Sequence, residues 1–139
     1  MKLKTYFMKV ELNLNLLILL KTMEQCAGWY KQYGGIQGKA IGVVQGKTYR
    51  EIADCYRAMD QIANVDMIAI SFDYSYYTES VPHPNKYVSW MLGRVKLIGD
   101  LVNDGIINRG KPHHLLGCGL PQEFSFYKHA DYNFIYSLD

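Results

Sequence analysis

Paired cysteines and a strong net charge are both missing from this sequence of 139 residues. The three cysteines, Cys26, Cys55 and Cys118, are odd in number, and no two of them have Cys-x-x-Cys spacing. A disulfide framework or a four-ligand zinc site is therefore not expected. We expect a reducing, cytoplasmic setting instead. The net charge of +2 is too small to indicate nucleic-acid binding by itself.

Long apolar runs are also missing. Leu16–Leu20 follows several lysines, which gives the outline of a signal peptide. Polar residues interrupt the approach to this run, however, and no small-x-small cleavage site follows it. The run is too short to cross a membrane, so no membrane association is expected. With 49% hydrophobic and 20% charged residues, the chain is typical of one globular domain.

Short apolar runs alternate with helical patterns along the chain. We predict strands at Glu11–Leu16, Ala40–Val44, Val65–Ser71, His113–Gly117 and Tyr132–Ser137, and helices at Thr22–Gln32, Tyr49–Ile62, Lys86–Val102 and Pro121–Ala130. The segment Phe72–Asn85 is expected to be a functional or mobile loop. This alternation predicts an α/β fold with parallel strands. A whole (β/α)₈ barrel needs about 250 residues, so either a small open sheet or part of a barrel is expected.

The most informative segment is Ala40–Thr48, in which a buried strand ends in Gln45 and Gly46 and a helix follows. Ligands bind at this end of the strands in parallel α/β folds. The Gln45 amide is both donor and acceptor, which suits the edge of a heterocyclic base, although a core amide is the alternative. The spacing Gly42-x-x-x-Gly46 is one residue short of a phosphate loop, so nucleotide binding is not expected.

Further candidates follow the later predicted strands. Gly117 and Gly119 would let a flat ligand approach the backbone, with Leu116 as an apolar lid, although simple turn chemistry explains these residues equally well. Asp139 follows the last strand, where a catalytic carboxylate could lie, with terminal fraying as the alternative. Asp73 is another candidate, in the long loop. The adjacent His113 and His114 point to opposite faces of a strand, so no metal site is expected.

Four segments, in this order, resemble the tRNA-guanine transglycosylase (queuine tRNA-ribosyltransferase) family, including its divergent phage-encoded members. Gly42–Gly46 with Thr48-Tyr49 resembles the family's GIVQGGxY, Asp66–Ile70 resembles DGYAVGG, His114–Glu123 resembles YLMGVGxPED, and Phe134–Asp139 falls where the family has GIDMFD. The first and third segments are the specific ones. The resemblance covers roughly residues 23–139, which we treat as a partial TIM-barrel domain, and leaves residues 1–22 poorly matched.

The resemblance implies a pentosyltransferase on a (β/α)₈ barrel, which replaces guanine by a 7-deazaguanine of the queuine or preQ type in tRNA or DNA. Asp139 matches the family's nucleophile, which attacks C1′ of the ribose. Gln45 and Gly46 match the segment that reads the base, while Leu116 would stack on the base and the Gly117 backbone would approach it. Ser71-Phe72-Asp73 replaces the family's Gly-Gly-Leu, which contacts the base, and this indicates a divergent branch with altered base specificity.

The family's zinc site would lie beyond Asp139, so no cofactor is expected within this chain. The chain resembles a central fragment of a barrel. Because half a barrel leaves strand edges unpaired, these residues are expected to be inactive alone. The expected partners are tRNA or DNA and a guanine or 7-deazaguanine base, with a homodimer as a further candidate. Two alternatives stay open: a non-catalytic paralogue that serves as a binding or assembly subunit, and an unrelated small α/β domain with a tyrosine-rich loop.

Overall fold

The computed structural model describes residues 41–60 and 65–139, with Lys21 and Gln25 as two further helical positions. Four strands form one sheet in this part of the chain: β1 is Ile41–Val43, β2 is Met67–Ile70, β3 is His113–Leu115 and β4 is Ile135–Leu138. Neighbouring strands are parallel, and their order is β1-β2-β3-β4. The predicted α/β class with a parallel sheet is therefore confirmed. The predicted strand Glu11–Leu16 lies outside the described residues, as does all but Gln25 of the predicted helix Thr22–Gln32.

Helices connect the strands. In the described residues α1 is Tyr49–Asp60, α2 is Ser75–Ser80, α3 is Lys86–Asn103, and 3₁₀ helices span Pro121–Tyr127 and Ala130–Tyr132. The predicted positions of α1 and α3 are confirmed, and Pro121 lies in the first turn of its helix as expected. Across these described ranges, the structure has no helix with the length and apolar character that a membrane span needs.

The start of α1 is fixed by a capping box. The Thr48 hydroxyl accepts the N–H of Glu51 at 3.2 Å, and the Glu51 carboxylate accepts the N–H of Lys47 at 2.8 Å. The first bond satisfies a backbone donor that the first turn of a helix leaves free, and the second fixes the chain just before the cap. The helix then buries an apolar stripe that includes Ile52, Cys55, Tyr56 and Met59.

The described helices α1 and α3 cover the same face of the sheet. The core joins buried side chains of α1 and α3 to those of β2 and β3, namely Ile52, Tyr56, Leu97, Ile98, Ile68, Ile70 and Leu115. Side chains alternate between the faces of a sheet, so the intervening residues belong to the opposite face. Val43, Ala69, His114 and Ser137 form one register row there. We call this the open face because α1 and α3 do not cover it, although Ala69 within it is fully buried.

The segment predicted as a loop, Phe72–Asn85, contains the short helix α2. The prediction was wrong at this point because a tertiary contact stabilises the helix. Tyr77 is fully buried, and a Cβ at Gly93 of α3 would lie 2.4 Å from the Tyr77 Cβ. The missing side chain at Gly93 therefore lets α2 pack directly against α3.

The last strand begins later than predicted, because Tyr132 belongs to a 3₁₀ helix and β4 starts at Ile135. A β-bulge interrupts its pairing with β3. His113 pairs with Ile135, but His114 pairs with Ser137, so Tyr136 has no partner in the register. Tyr136 is 77% exposed.

Candidate functional site

The predicted site residues follow the carboxyl ends of all four strands. Gln45, Ser71, Leu116 and Asp139 each lie two positions beyond a member of the open-face row Val43-Ala69-His114-Ser137. The backbone continues the ladder past β3 and β4, because Leu116 N–H donates to the Ile70 carbonyl at 3.0 Å and Asp139 N–H to the Leu115 carbonyl at 3.3 Å. We call these four positions the strand-end row.

Asp139 is held by the loop that follows β3. Gly117 N–H donates to Oδ1 of Asp139 at 2.5 Å. This bond, with His114 as a further neighbour, holds the pKa of Asp139 below its ordinary value. The carboxylate is therefore ionised at neutral pH, and its side chain is 64% exposed. An ionised carboxylate with one oxygen tied down and the other accessible can act as a nucleophile.

His114 lies between β4 and the carboxylate. Its Nδ1 is 2.8 Å from the Ser137 hydroxyl, and its Nε2 is 3.6 Å from Oδ2 of Asp139. The neighbouring His113 instead contacts Tyr56 of α1, so the two rings serve opposite faces of the sheet. The adjacent histidines thus have separate partners, and among the residues that the structure describes no group of three His, Cys, Asp or Glu side chains could hold a metal ion.

Gly117 has the backbone of a left-handed turn, with φ of 70°. A Cβ there would also lie 3.1 Å from the Phe72 Cβ. Both facts favour glycine at this position. The turn sends Leu116 and Gly117 past the sheet edge with their backbone groups directed to Arg94 and Asp139.

Arg94 lies beneath this loop and is 1% exposed. Its guanidinium makes two short bonds to Glu123, at 2.7 and 2.8 Å, which is the bidentate geometry that arginine favours. The remaining donors bind the carbonyls of Leu116 at 2.8 Å and Gly117 at 2.7 Å, and reach the Ile70 carbonyl at 3.5 Å. One buried cation therefore joins the ends of β2 and β3 to the 3₁₀ helix that begins at Pro121.

The segment after β2 is fixed by its own contacts. Ser71 Oγ donates to Asp73 at 2.9 Å, and the Ser71 carbonyl accepts the Tyr77 hydroxyl at 2.8 Å. The Phe72 ring is half-buried, with its centroid 5.2 Å from the Arg94 guanidinium carbon and 5.2 Å from the Trp90 ring. The Phe72 side chain therefore packs against Trp90 and Arg94, whereas the Asp73 side chain is exposed.

Tyr74 joins the first two strand ends. Its hydroxyl donates to the Val44 carbonyl and accepts the Ser71 N–H at 3.2 Å. Burial raises the pKa of Tyr74 far above its ordinary value, so the hydroxyl keeps its proton and can bridge in this way. The loop prediction missed Tyr74, although the tyrosine-rich composition of the segment was visible in the sequence.

Gln45 and Gly46 differ in what fixes them. The Gln45 side chain is exposed and makes no hydrogen bond to the described residues, while its N–H donates to the buried Cys55 sulfur at 3.3 Å. Burial raises the pKa of the Cys55 thiol to about 11, so this sulfur is uncharged. A Cβ at Gly46 would lie 2.6 Å from the Ile52 nitrogen, so Gly46 allows the close approach of α1. The Gln45 amide is left available to a ligand.

Sequence reasoning also missed the Arg94–Glu123 pair. A signal was present, because Met91, Arg94, Leu97 and Leu101 share the helical spacing of the buried stripe of α3. A charged residue on such a stripe indicates a buried ion pair. Glu123 gave no comparable signal.

Family models, curated proteins and solved structures were compared with this chain, and none of them matches it.

Proposed function

We propose that this protein exchanges a base at the glycosidic bond of a nucleic acid, replacing guanine by a 7-deazaguanine in tRNA or DNA. The observation that carries the proposal is the strand-end row, in which Gln45, Leu116 and Asp139 end three strands of one parallel sheet at a common edge. Asp139 is the nucleophile, Leu116 covers the base, and Gln45 reads its polar edge.

We also propose that the sheet is part of a (β/α)₈ barrel. Two observations support a barrel. The described strands lie in the sheet in the same order as in the chain, and α1 and α3 cover one face of it. A doubly wound sheet reverses its strand order at one point, and the four strands that the structure describes contain no such reversal. In a barrel the open face becomes the interior, and the strand-end row lies at the carboxyl-end mouth where substrates bind.

The chemistry is a double displacement at C1′ of the sugar, which is ribose in tRNA and deoxyribose in DNA. A carboxylate oxygen of Asp139 bonds to C1′ as the C1′–N9 bond breaks, and guanine leaves with that electron pair and takes up a proton. The incoming deazaguanine, losing its own proton, then attacks C1′ and releases the carboxylate. Splitting one difficult substitution into two easier ones is the usual benefit of covalent catalysis.

The spacing of the strands fits this assignment. Gln45 and Asp139 follow the first and last described strands, so about 14 Å separates their backbones at ordinary strand spacing. A nucleoside lying across β2 and β3 bridges this distance, with its base towards Gln45 and its ribose towards Asp139. The exposed amide supplies a donor and an acceptor to the base.

The test is incorporation of labelled guanine into tRNA and, separately, into DNA by the protein at its natural length. We expect exchange by the wild type and a loss of at least about a thousand-fold in Asp139→Asn. Asp131→Asn is the matched control, because Asp131 is also exposed and lies outside the strand-end row. Equal exchange by the wild type and Asp139→Asn would remove the assigned role.

A second candidate is a non-catalytic subunit that binds nucleic acid or base without exchanging it. Phe72 favours this alternative, because its ring packs against the loop that follows β3 where the resembled family has glycine. A Cβ at Gly119 would lie 2.4 Å from the Phe72 ring, so the ring fills the space under this loop. Binding of guanine without exchange, at equal affinity in Asp139→Asn, would support the subunit.

A further inference from the structure

The peptide unit between Leu116 and Gly117 has a strong partner at each end. Its carbonyl accepts Nη1 of Arg94 at 2.8 Å, and its N–H donates to Oδ1 of Asp139 at 2.5 Å. A cation on the carbonyl draws electron density towards the oxygen and makes the N–H of the same peptide a stronger donor. Hydrogen bonds in such a chain strengthen one another.

The geometry of Arg94 leaves this peptide little freedom. Nη2 also binds the Gly117 carbonyl at 2.7 Å, so two successive carbonyls are held by one planar group. Glu123 fixes that group from the other side through Nε and Nη2, and both side chains are 1% exposed. The rigid fork of arginine is suited to such multiple contacts, whereas the single nitrogen of lysine is not.

We propose that Arg94 is a positioning residue for Asp139 and acts through the Leu116–Gly117 peptide unit. This rests on the proposed function, in which Asp139 is the nucleophile. Arg94 is buried beneath the loop and touches no substrate in this scheme. Its role is to fix the direction of the Gly117 N–H, which in turn fixes one oxygen of the Asp139 carboxylate and leaves the other for attack.

The first test is the amide resonance of Gly117 in ¹⁵N spectra of the full chain. We expect its proton at low field in the wild type, and at higher field in both Asp139→Asn and Arg94→Lys. Arg109→Lys is the matched control, since Arg109 is half-exposed, pairs with Asp131 and should leave the Gly117 signal unchanged. A folded Arg94→Lys variant with the wild-type Gly117 signal would overturn the proposal.

A second measurement needs no variant and covers the case in which Arg94→Lys does not fold. The wild-type Arg94 guanidinium protons should exchange slowly, and Nη1 should show a scalar coupling to the Leu116 carbonyl carbon through the hydrogen bond. A freely rotating guanidinium without this coupling would refute the assigned contact.

The kinetic test separates positioning from a general structural role. In the exchange assay, Arg94→Lys should lower kcat by about 100-fold with KM unchanged, because a small displacement of a reacting group has an effect of this size. In the Asp139→Asn background the same substitution should cause no further loss. A further loss there would mean that Arg94 acts elsewhere. If the wild type shows no exchange, the proposed function fails, while the spectra still report whether Arg94 and Asp139 are linked.

Discussion

A fully buried neutral cluster lies at the amino end of β3, beside the partly buried Lys111–Asp60 ion pair. At the carboxyl end of β3 the ion pair itself is fully buried. At the amino end His113 is fully buried; its Nδ1 donates to the Lys111 carbonyl at 2.7 Å, and its Nε2 accepts the Tyr56 hydroxyl at 2.7 Å. Tyr56 in turn accepts the N–H of Asn108 at 2.8 Å. Burial lowers the pKa of His113 to about 4, so the ring is neutral.

The charged group at the carboxyl end serves two successive carbonyls. Those of Leu116 and Gly117 both accept from Arg94, and the Ile70 carbonyl, which also accepts the Leu116 N–H, lies 3.5 Å from it. The Arg94 guanidinium supplies five N–H groups in one plane, and Glu123 compensates the buried charge. The neutral cluster around His113 connects the sheet to α1. The charged cluster around Arg94 connects the sheet to α3 and, through the Leu116–Gly117 peptide unit, contacts the candidate nucleophile Asp139.

Removing the cation should have the largest effect on stability. Arg94→Met leaves Glu123 as an unpaired buried carboxylate, so we expect the free energy of unfolding to fall by about 3–5 kcal/mol. Urea denaturation followed by circular dichroism measures this loss. Arg109→Met, at an exposed pair, should lose less than about 1 kcal/mol. Similar losses in the two variants would erase the contrast between buried and exposed pairs.

The second-largest effect on stability should come from acid, through His113 at the amino end of β3. The pKa of His113 is about 4 in the folded chain and about 6.5 when unfolded, so the unfolded state takes up its proton first as the pH falls. The contribution is complete above about pH 6.5 and is lost towards pH 4, amounting to about 3 kcal/mol. Denaturation of wild type and His113→Gln at several pH values isolates it. If the free energy of unfolding falls equally in the wild type and in His113→Gln between pH 6.5 and pH 4, the low pKa assigned to His113 is wrong.

Substitution of Gly117, in the loop after β3, should have the smallest effect on the free energy of unfolding. Gly117→Ala places a side chain at positive φ, for which we expect a loss of about 1–2 kcal/mol. Gly105→Ala is a matched control, with φ of 67° and no atom within 4 Å of the added Cβ. The excess loss in Gly117→Ala measures its contact with Phe72. Equal thermal shifts would show that Phe72 moves aside freely.

The sheet could be predicted from the sequence because β1 and β2 are short apolar runs and because strand and helix patterns alternate along the chain. The Thr48 cap and the first-turn proline Pro121 belong to local motifs, so the starts of these two helices could also be predicted. The helix α2 was not, because Tyr77 becomes buried only when Gly93 of the next helix packs against it. The hydrophobic period of one segment cannot report a contact between two helices.

The candidate site was predictable in position but not in its supports. Gln45, Leu116 and Asp139 follow strands, and the carboxyl ends of parallel strands share an edge. The bond between Gly117 and Asp139 depends on a positive φ and on a buried arginine from another helix. Both arise only in the folded chain.

The bulge in β4 decides which residue occupies the last position of the strand-end row. Were Tyr136 paired with His114 in an uninterrupted register, Leu138 would stand level with Leu116, and Asp139 would point to the helix-covered face. Because of the extra residue, Asp139 lies four residues after Ile135 but only three pairing positions along β3. Its side chain therefore points to the face opposite that of Ile135. Bulges re-aim side chains in this way beside functional sites. Deleting Tyr136 would therefore remove the bulge and leave Asp139 level with Leu116, whereas keeping Tyr136 and pairing it with His114 would turn the Asp139 carboxylate to the helix-covered face.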